Sequence, residues 1–114
     1  MKHLEENLQQ TCVTWFRYRY PGKIIFHVPN GGRRNPLEAV RLKKQGVTKG
    51  VPDIVVLEPT SSQYGLFVEL KVGKNKLTKE QSEFLQQLKL RNYEAKVCYS
   101  LDEFQKITYE YFGE

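Results

Sequence analysis

Asp53 and Glu69 stand where a purely structural strand would not want them. Asp53 follows Pro52 and directly precedes the continuously apolar run Ile54-Val55-Val56-Leu57. Aspartate is depleted in strands, and this one enters the centre of a sheet. Glu69 and Lys71 lie inside Leu66-Phe67-Val68-Glu69-Leu70-Lys71-Val72. Strand side chains alternate, so Phe67, Glu69 and Lys71 share one face and Val68, Leu70 and Val72 the other. If the two strands pair as a hairpin, Asp53 and Glu69 converge. Two convergent carboxylates supply the hard oxygen ligands that suit magnesium or manganese, ions that keep several waters and bind through few carboxylates. Such an ion activates water toward a phosphodiester and stabilises charge on the phosphate. A lysine two residues past the second acid, on the same face, orients that water or neutralises the developing charge. The bland alternative is an exposed Glu–Lys pair on an edge strand. The Pro-Asp pair about 16 residues upstream, in a basic α/β chain, tips the balance toward a metal site.

The elements that must position these residues are readable in outline. Leu4, Leu8, Cys12, Trp15 and Phe16 recur at helical spacing, so residues 3–20 form an amphipathic helix that Pro21-Gly22 ends. Lys23 to Val28 reads as a strand and Pro29-Asn30-Gly31-Gly32 as a turn. Pro36 to Gln45 reads as a short basic helix with Leu37, Val40 and Leu42 inward and Gly46 past its end. Strands follow at Gly50–Leu57 and Leu66–Val72, then a basic loop, Gly73 to Leu77. A helix from Thr78 to about Arg91, a strand at Ala95–Tyr99 and a helix at Leu101–Tyr111 complete the order. This is a mixed α/β domain, a central sheet with helices against it.

A chain of 114 residues holds one compact domain and is too short for two ordinary ones. Its 39% hydrophobic and 12% aromatic content excludes a wholly disordered chain. No apolar run approaches the ~18 residues of a membrane span, and the polar start, with Glu5 and Glu6, argues against a secretory signal. Cys12 and Cys98 are far apart and read as reduced core residues of an intracellular protein. The net charge of +5 is unevenly spread. Lys23 to Lys49 holds seven basic residues and one acid, Lys71 to Lys79 four lysines and no acid, and Asp102 to Glu114 four acids and one lysine. A basic middle with an acidic tail suggests one face for a polyanion, in particular nucleic acid; an unevenly charged solvated surface is the alternative.

The Pro52-Asp53 and Glu69-Leu70-Lys71 pair resembles the motif of the PD-(D/E)XK nuclease superfamily. The finer order resembles the virus-type replication-repair nuclease (VRR-NUC) domain: Val28-Pro29-Asn30-Gly31-Gly32-Arg33, then Lys43-Lys44-Gln45-Gly46-Val47, Gly50-Val51-Pro52-Asp53-Ile54, Phe67-Val68-Glu69-Leu70-Lys71, and Gln81 with Phe84. The resemblance covers essentially residues 1–114, as one stand-alone domain. It implies a restriction-endonuclease-like fold, a central mixed sheet flanked by helices, and a magnesium- or manganese-dependent DNA endonuclease. Asp53 and Glu69 would hold the metal, the Leu70 carbonyl would add a backbone ligand, and Lys71 would be the catalytic lysine. The family also has a glutamate in the first helix and a glutamine in the helix after Glu69-Leu70-Lys71. Glu5 and Glu6 are adjacent candidates, and both also suit a positive helix N-terminus. The family spacing before Leu8-Gln9 selects Glu5, which also lies nearer Leu8 around the helix. Gln81 fits the glutamine, and it equally completes a capping box with Thr78.

For substrate, Asn30, Gly31, Gly32, Arg33 and Arg34 offer amides and guanidinium forks to phosphates. Lys49, Lys74 and Lys76 flank the site as further phosphate contacts. His27 is a weaker candidate for a base or a DNA contact, and Trp15, Tyr18 and Tyr20 fit packing better than base stacking. The small stand-alone members are similar to homodimeric junction resolvases, which implies cleavage of branched DNA such as a four-way (Holliday) junction in the cytoplasm of a bacterial or phage-infected host cell. The rival readings are a flap nuclease, a non-catalytic nucleic-acid-binding module that kept the fold, and a recruitment subunit of a replication complex.

Overall fold

The computed structural model describes residues 2–29 and 35–114. The order is α1 (Lys2–Arg19), β1 (Ile25–His27), α2 (Pro36–Lys44), β2 (Ile54–Val56), β3 (Leu66–Leu70), α3 (Lys79–Leu90), β4 (Glu94–Cys98) and α4 (Leu101–Phe112). The four strands form one mixed sheet in the order β1-β2-β3-β4. β1, β2 and β3 are a consecutive antiparallel meander, and β4 joins β3 in parallel after the α3 crossover.

Period-2 alternation divides the sheet's residues between two faces. Ile25, Ile54, Val56, Leu66, Val68, Leu70 and Cys98 face α1 and α4 and pack with Cys12, Phe16, Tyr20 and Phe104. Phe67, Ala95 and Val97 face α3, where Leu85 and Leu88 cover them with Phe84 and Tyr93. Trp15 fills the seam between the first and last helices, meeting Tyr20, Phe104 and Tyr109 edge-on. Local chemistry ends these helices as well as packing does. Ser100 caps α4 by accepting the Glu103 N–H at 3.1 Å, and Gly113 closes it in the left-handed region at φ +76°.

Beyond the shortening of the strand expected over Lys23–Val28 to Ile25–His27, three expectations change. The strand expected over Gly50–Leu57 is paired only at Ile54–Val56. Gly50 has φ +88° and Pro52 has no N–H to give, so the approach to Asp53 is a loop. The strand expected over Leu66–Val72 ends at Leu70, although the Lys71 N–H still reaches the Cys98 carbonyl at 2.9 Å. The third change concerns α2, whose Leu37, Val40 and Leu42 were expected inward. No residue of α2 is buried: Leu37 is 84% exposed, Val40 54%, and Leu42 is half-buried. The chain leaves and rejoins the sheet at one corner, because the Val28 N–H donates to the Asp53 carbonyl at 2.8 Å.

Candidate active site

Antiparallel pairing of β2 with β3 brings the two acids together. Ile54 lies across from Val68, so one step further Asp53 lies across from Glu69, and residues opposite each other project to the same side. Asp53 Oδ2 accepts the Leu70 N–H at 2.8 Å, which fixes this carboxylate at the end of β3. Glu69 is only 2% exposed and Lys71 9%. The expected convergence of Asp53, Glu69 and Lys71 is what the structure has, with both Glu69 and Lys71 buried.

Glu69 is held by one oxygen only. Its Oε2 accepts a hydrogen bond from Gln81 Nε2 at 3.2 Å, while Oε1 is buried with no donor. The Gln81 side chain performs both tasks foreseen for it. Its Oε1 accepts the Thr78 N–H at 2.9 Å and its backbone N–H donates to Thr78 Oγ1 at 3.1 Å, closing the capping box. The cap turns the amide oxygen toward the helix start, which leaves the NH2 for Glu69.

Electrostatics tie the first helix to this cluster. Burial raises the proton affinity of Glu5, the Asp53 charge raises it further, and Lys71 opposes both. Burial also pushes Glu69 well above the usual carboxyl range, with Asp53 and Glu5 adding to the shift and Lys71 again opposing it. Glu5 is thus the first-helix acid that shares the field of the site. Glu6 is exposed and pairs with His3 at 3.5 Å.

The donor set fits a hard divalent cation. Two adjacent carboxylates are joined by a shared proton or by a cation, and Glu69 Oε1, buried without a hydrogen-bond donor among the described residues, is an oxygen that such a cation could use. Among the described residues no three His, Cys, Asp or Glu side chains form a ready-made cage. Magnesium does not need one, because it keeps much of its water shell.

The remaining candidates fall into two groups. Lys49, Lys74 and Lys76 are exposed; Lys74 and Lys76 ride on the loop from Lys71 to α3, which Tyr99 anchors through its hydroxyl on the Asn75 carbonyl at 2.8 Å. Asn30, Gly31, Gly32, Arg33 and Arg34 lie outside the described residues. Two residues make contacts that the sequence did not suggest. His27 Nδ1 is 2.9 Å from the Asp53 carbonyl oxygen, to which it donates a hydrogen bond. Gly50 seats its backbone on the first turn of α3, where an added Cβ would lie 2.5 Å from the Glu80 carbonyl oxygen. A lone glycine between Lys49 and Val51 carries no local sign of a partner thirty residues on.

Three comparisons bear on this geometry. A family model described as the VRR-NUC domain matches residues 3–102. A solved structure described as a VRR-NUC domain protein superposes with a TM-score of 0.78 at 25% identity, covering 94% of this chain and 86% of that one. No curated protein matches. The mixed sheet with its flanking helices is therefore a nuclease-like α/β fold of the PD-(D/E)XK type, and a family match over most of its length makes this chain a member of the VRR-NUC family.

Proposed function

We propose that this nuclease-type domain is a magnesium- or manganese-dependent DNA endonuclease that cuts branched DNA, four-way junctions above all, as a homodimer in the cytoplasm of a bacterial or phage-infected host cell. The observation that carries the reading is the pairing of half-buried Asp53 with buried Glu69 beside Lys71, with one glutamate oxygen lacking any donor among the described residues. A binding module gains nothing from acids that face phosphate. Asp53, Glu69, the Leu70 carbonyl and Glu5 would hold the metal, which supplies Lewis acidity at the phosphate and a more acidic water. Lys71 assists the attacking water and offsets charge on the phosphate. Gln81 orients Glu69. Lys49, Lys74 and Lys76 meet phosphates on either side of the scissile bond, together with the amides and guanidiniums of residues 30–34. Support for a second copy comes from β1, an edge strand. Ile24 and Phe26 share one face with Leu57 of the neighbouring chain segment, and all three are exposed.

The test is cleavage of a labelled four-way junction, a flap and a linear duplex with magnesium, manganese or EDTA. Paired cuts confined to the junction are expected, lost with EDTA and reduced at least ~100-fold by Glu69→Ala. Protein that binds every substrate and cuts none in either metal would sink the enzyme reading in favour of a binding module. Flap cleavage alone would keep the enzyme and change its substrate.

The two tasks of Gln81 separate by substitution. Gln81→Glu keeps an acceptor for the Thr78 N–H and adds a charge that suits the helix start. It also replaces the Gln81 donor to Glu69 by a like charge, so the cap of α3 is kept while cleavage falls by about tenfold or more. Thr78→Ala does the reverse, costing about 1 kcal/mol of stability with cleavage largely kept. Equal effects of the two variants on rate and melting would show that the cap and the site are not separable.

A further inference from the structure

The least explained part of the molecule is α2. A helix of nine residues is marginal unless something covers it, and no residue of α2 is buried by this chain. It is made self-sufficient by its ends instead. Asn35 Oδ1 accepts the Glu38 N–H at 2.7 Å and Pro36 opens the first turn. At the other end Gly46 takes φ +105°, and the Gly46 and Val47 N–H groups return to the carbonyls of Lys43 and Leu42. A helix capped this thoroughly and left uncovered is a surface held out for a partner.

Its composition indicates which partner. Leu37, Val40, Arg41 and Lys44 follow the spacing i, i+3, i+4, i+7 and share one face. That stripe combines two exposed apolar side chains with two cations, and Lys43 stands next to it. The single acid, Glu38, lies off the stripe. Two copies of α2 placed face to face would bring four cations, two from each stripe, into one seam with no acid on either stripe to offset them. A polyanion with some exposed apolar surface meets both halves of the stripe. The position of α2 agrees, since the excursion that carries it starts and ends at Asp53: the His27 ring and the Val28 N–H both contact the Asp53 carbonyl. DNA bound with a phosphate at the acids passes the root of this arm.

We infer that α2 is a DNA-engaging arm, in which Arg41, Lys43 and Lys44 hold phosphates beyond the scissile one while Leu37 and Val40 lie against unstacked bases at a branch point. Intact duplex buries its base faces in the stack; a branch opens them, and apolar side chains used as wedges exploit such openings. This deepens the nuclease reading above and rests on it.

The test compares binding of fluorescent branched and linear DNA, in EDTA, over a series of salt concentrations. Two variants lose the same charge: Arg41→Gln/Lys43→Gln/Lys44→Gln on α2, and Lys89→Gln/Lys96→Gln/Lys106→Gln elsewhere. The α2 variant is expected to lower the log–log salt slope by about 2 to 3 and the affinity by about tenfold or more, and the control variant to leave the slope near that of the wild type. Equal losses in the two overturn the arm, because they report net charge alone. A second variant, Leu37→Ser/Val40→Ser, is expected to lose the preference for branched over linear DNA while retaining linear binding. If it instead turns a dimer into a monomer by light scattering, with the preference intact, α2 covers a second copy and the inference fails. Wild-type protein that binds no DNA would overturn the nuclease reading itself, an outcome distinct from failure of the arm alone.

Discussion

In the absence of metal, the protein is expected to lose stability steadily as the pH rises from the ordinary carboxyl range through neutrality, and Glu69→Gln to remove most of that loss. The cause is the buried carboxyl between Asp53 and Gln81. Burial, Asp53 and Glu5 all favour its protonated form, against the opposing charge of Lys71. An unfolded chain releases this proton near the usual 4.5, whereas the folded chain keeps it to higher pH. Between the two values the folded state binds more protons, so the free energy of unfolding falls as pH rises. The stabilising contribution is complete below the unfolded value and is lost as pH climbs through the folded one. Each unit of that window removes at most about 1.4 kcal/mol, and each kcal/mol moves the melting point of a small domain by about 4–8 °C. Glutamine has no proton to lose. Its amide can accept from Gln81 Nε2 and turn its own NH2 toward Asp53, so at alkaline pH in EDTA the variant melts above the wild type. If the site holds magnesium or manganese as proposed, the metal is expected to take the place of the proton in the wild type, restoring its alkaline melting point and leaving Glu69→Gln unmoved. Melting curves from about pH 5 to about pH 9, with EDTA or either metal, check this. A wild-type melting point that is flat with pH, or that falls equally in Glu69→Gln, would show that the excess proton sits elsewhere.

The carboxylate pair was legible because its signals are local and periodic. Asp53 stands at the entrance of an apolar run and Glu69 stands inside another. Alternation and a short connection were enough to put them on one side of a hairpin, which the observed register extends to. The double use of Gln81 was legible as two options, and the structure realises both because an amide has two ends. The inward face assigned to α2 failed for a general reason. Periodicity tells which residues share a face, not whether anything lies against it, and Leu37 and Val40 share a face that this chain leaves open. The strand before Asp53 is shorter than the apolar Val51 and Pro52 suggest, because ladder pairing depends on backbone groups that Gly50 turns aside and Pro52 lacks. The contacts of His27 and Gly50 were out of reach, because each depends on a partner brought close only by the finished fold.

Gly50→Ala is expected to be among the most damaging single-methyl changes the molecule can take, and to disable the site as well as the fold. Two costs coincide at this position. The φ of +88° lies in the region L side chains avoid, worth about 1–2 kcal/mol. The new Cβ would also lie 2.5 Å from the Glu80 carbonyl oxygen, 2.6 Å from its carbon and 3.0 Å from the Gln81 nitrogen. These are backbone atoms of a capped first turn, with no flexible side chain to yield, so overpacking adds about 1–3 kcal/mol. Gly73→Ala is the control that separates the two terms, since Gly73 has φ +59° with nothing within 4 Å of its added Cβ. It is expected to lose about 1–2 kcal/mol, and Gly50→Ala roughly twice that, read from urea or thermal unfolding. The clash has a direction. Relief requires α3 to move away from the loop that ends in Asp53, which draws Gln81 Nε2 off Glu69 and frees the second glutamate oxygen as well. Cleavage by folded Gly50→Ala, assayed well below its melting point, is therefore expected to fall toward that of Gln81→Glu, while Gly73→Ala retains its rate. Equal melting points for the two glycine variants would mean that the loop and α3 separate without cost, and that the hold of Gly50 on the active site is slack.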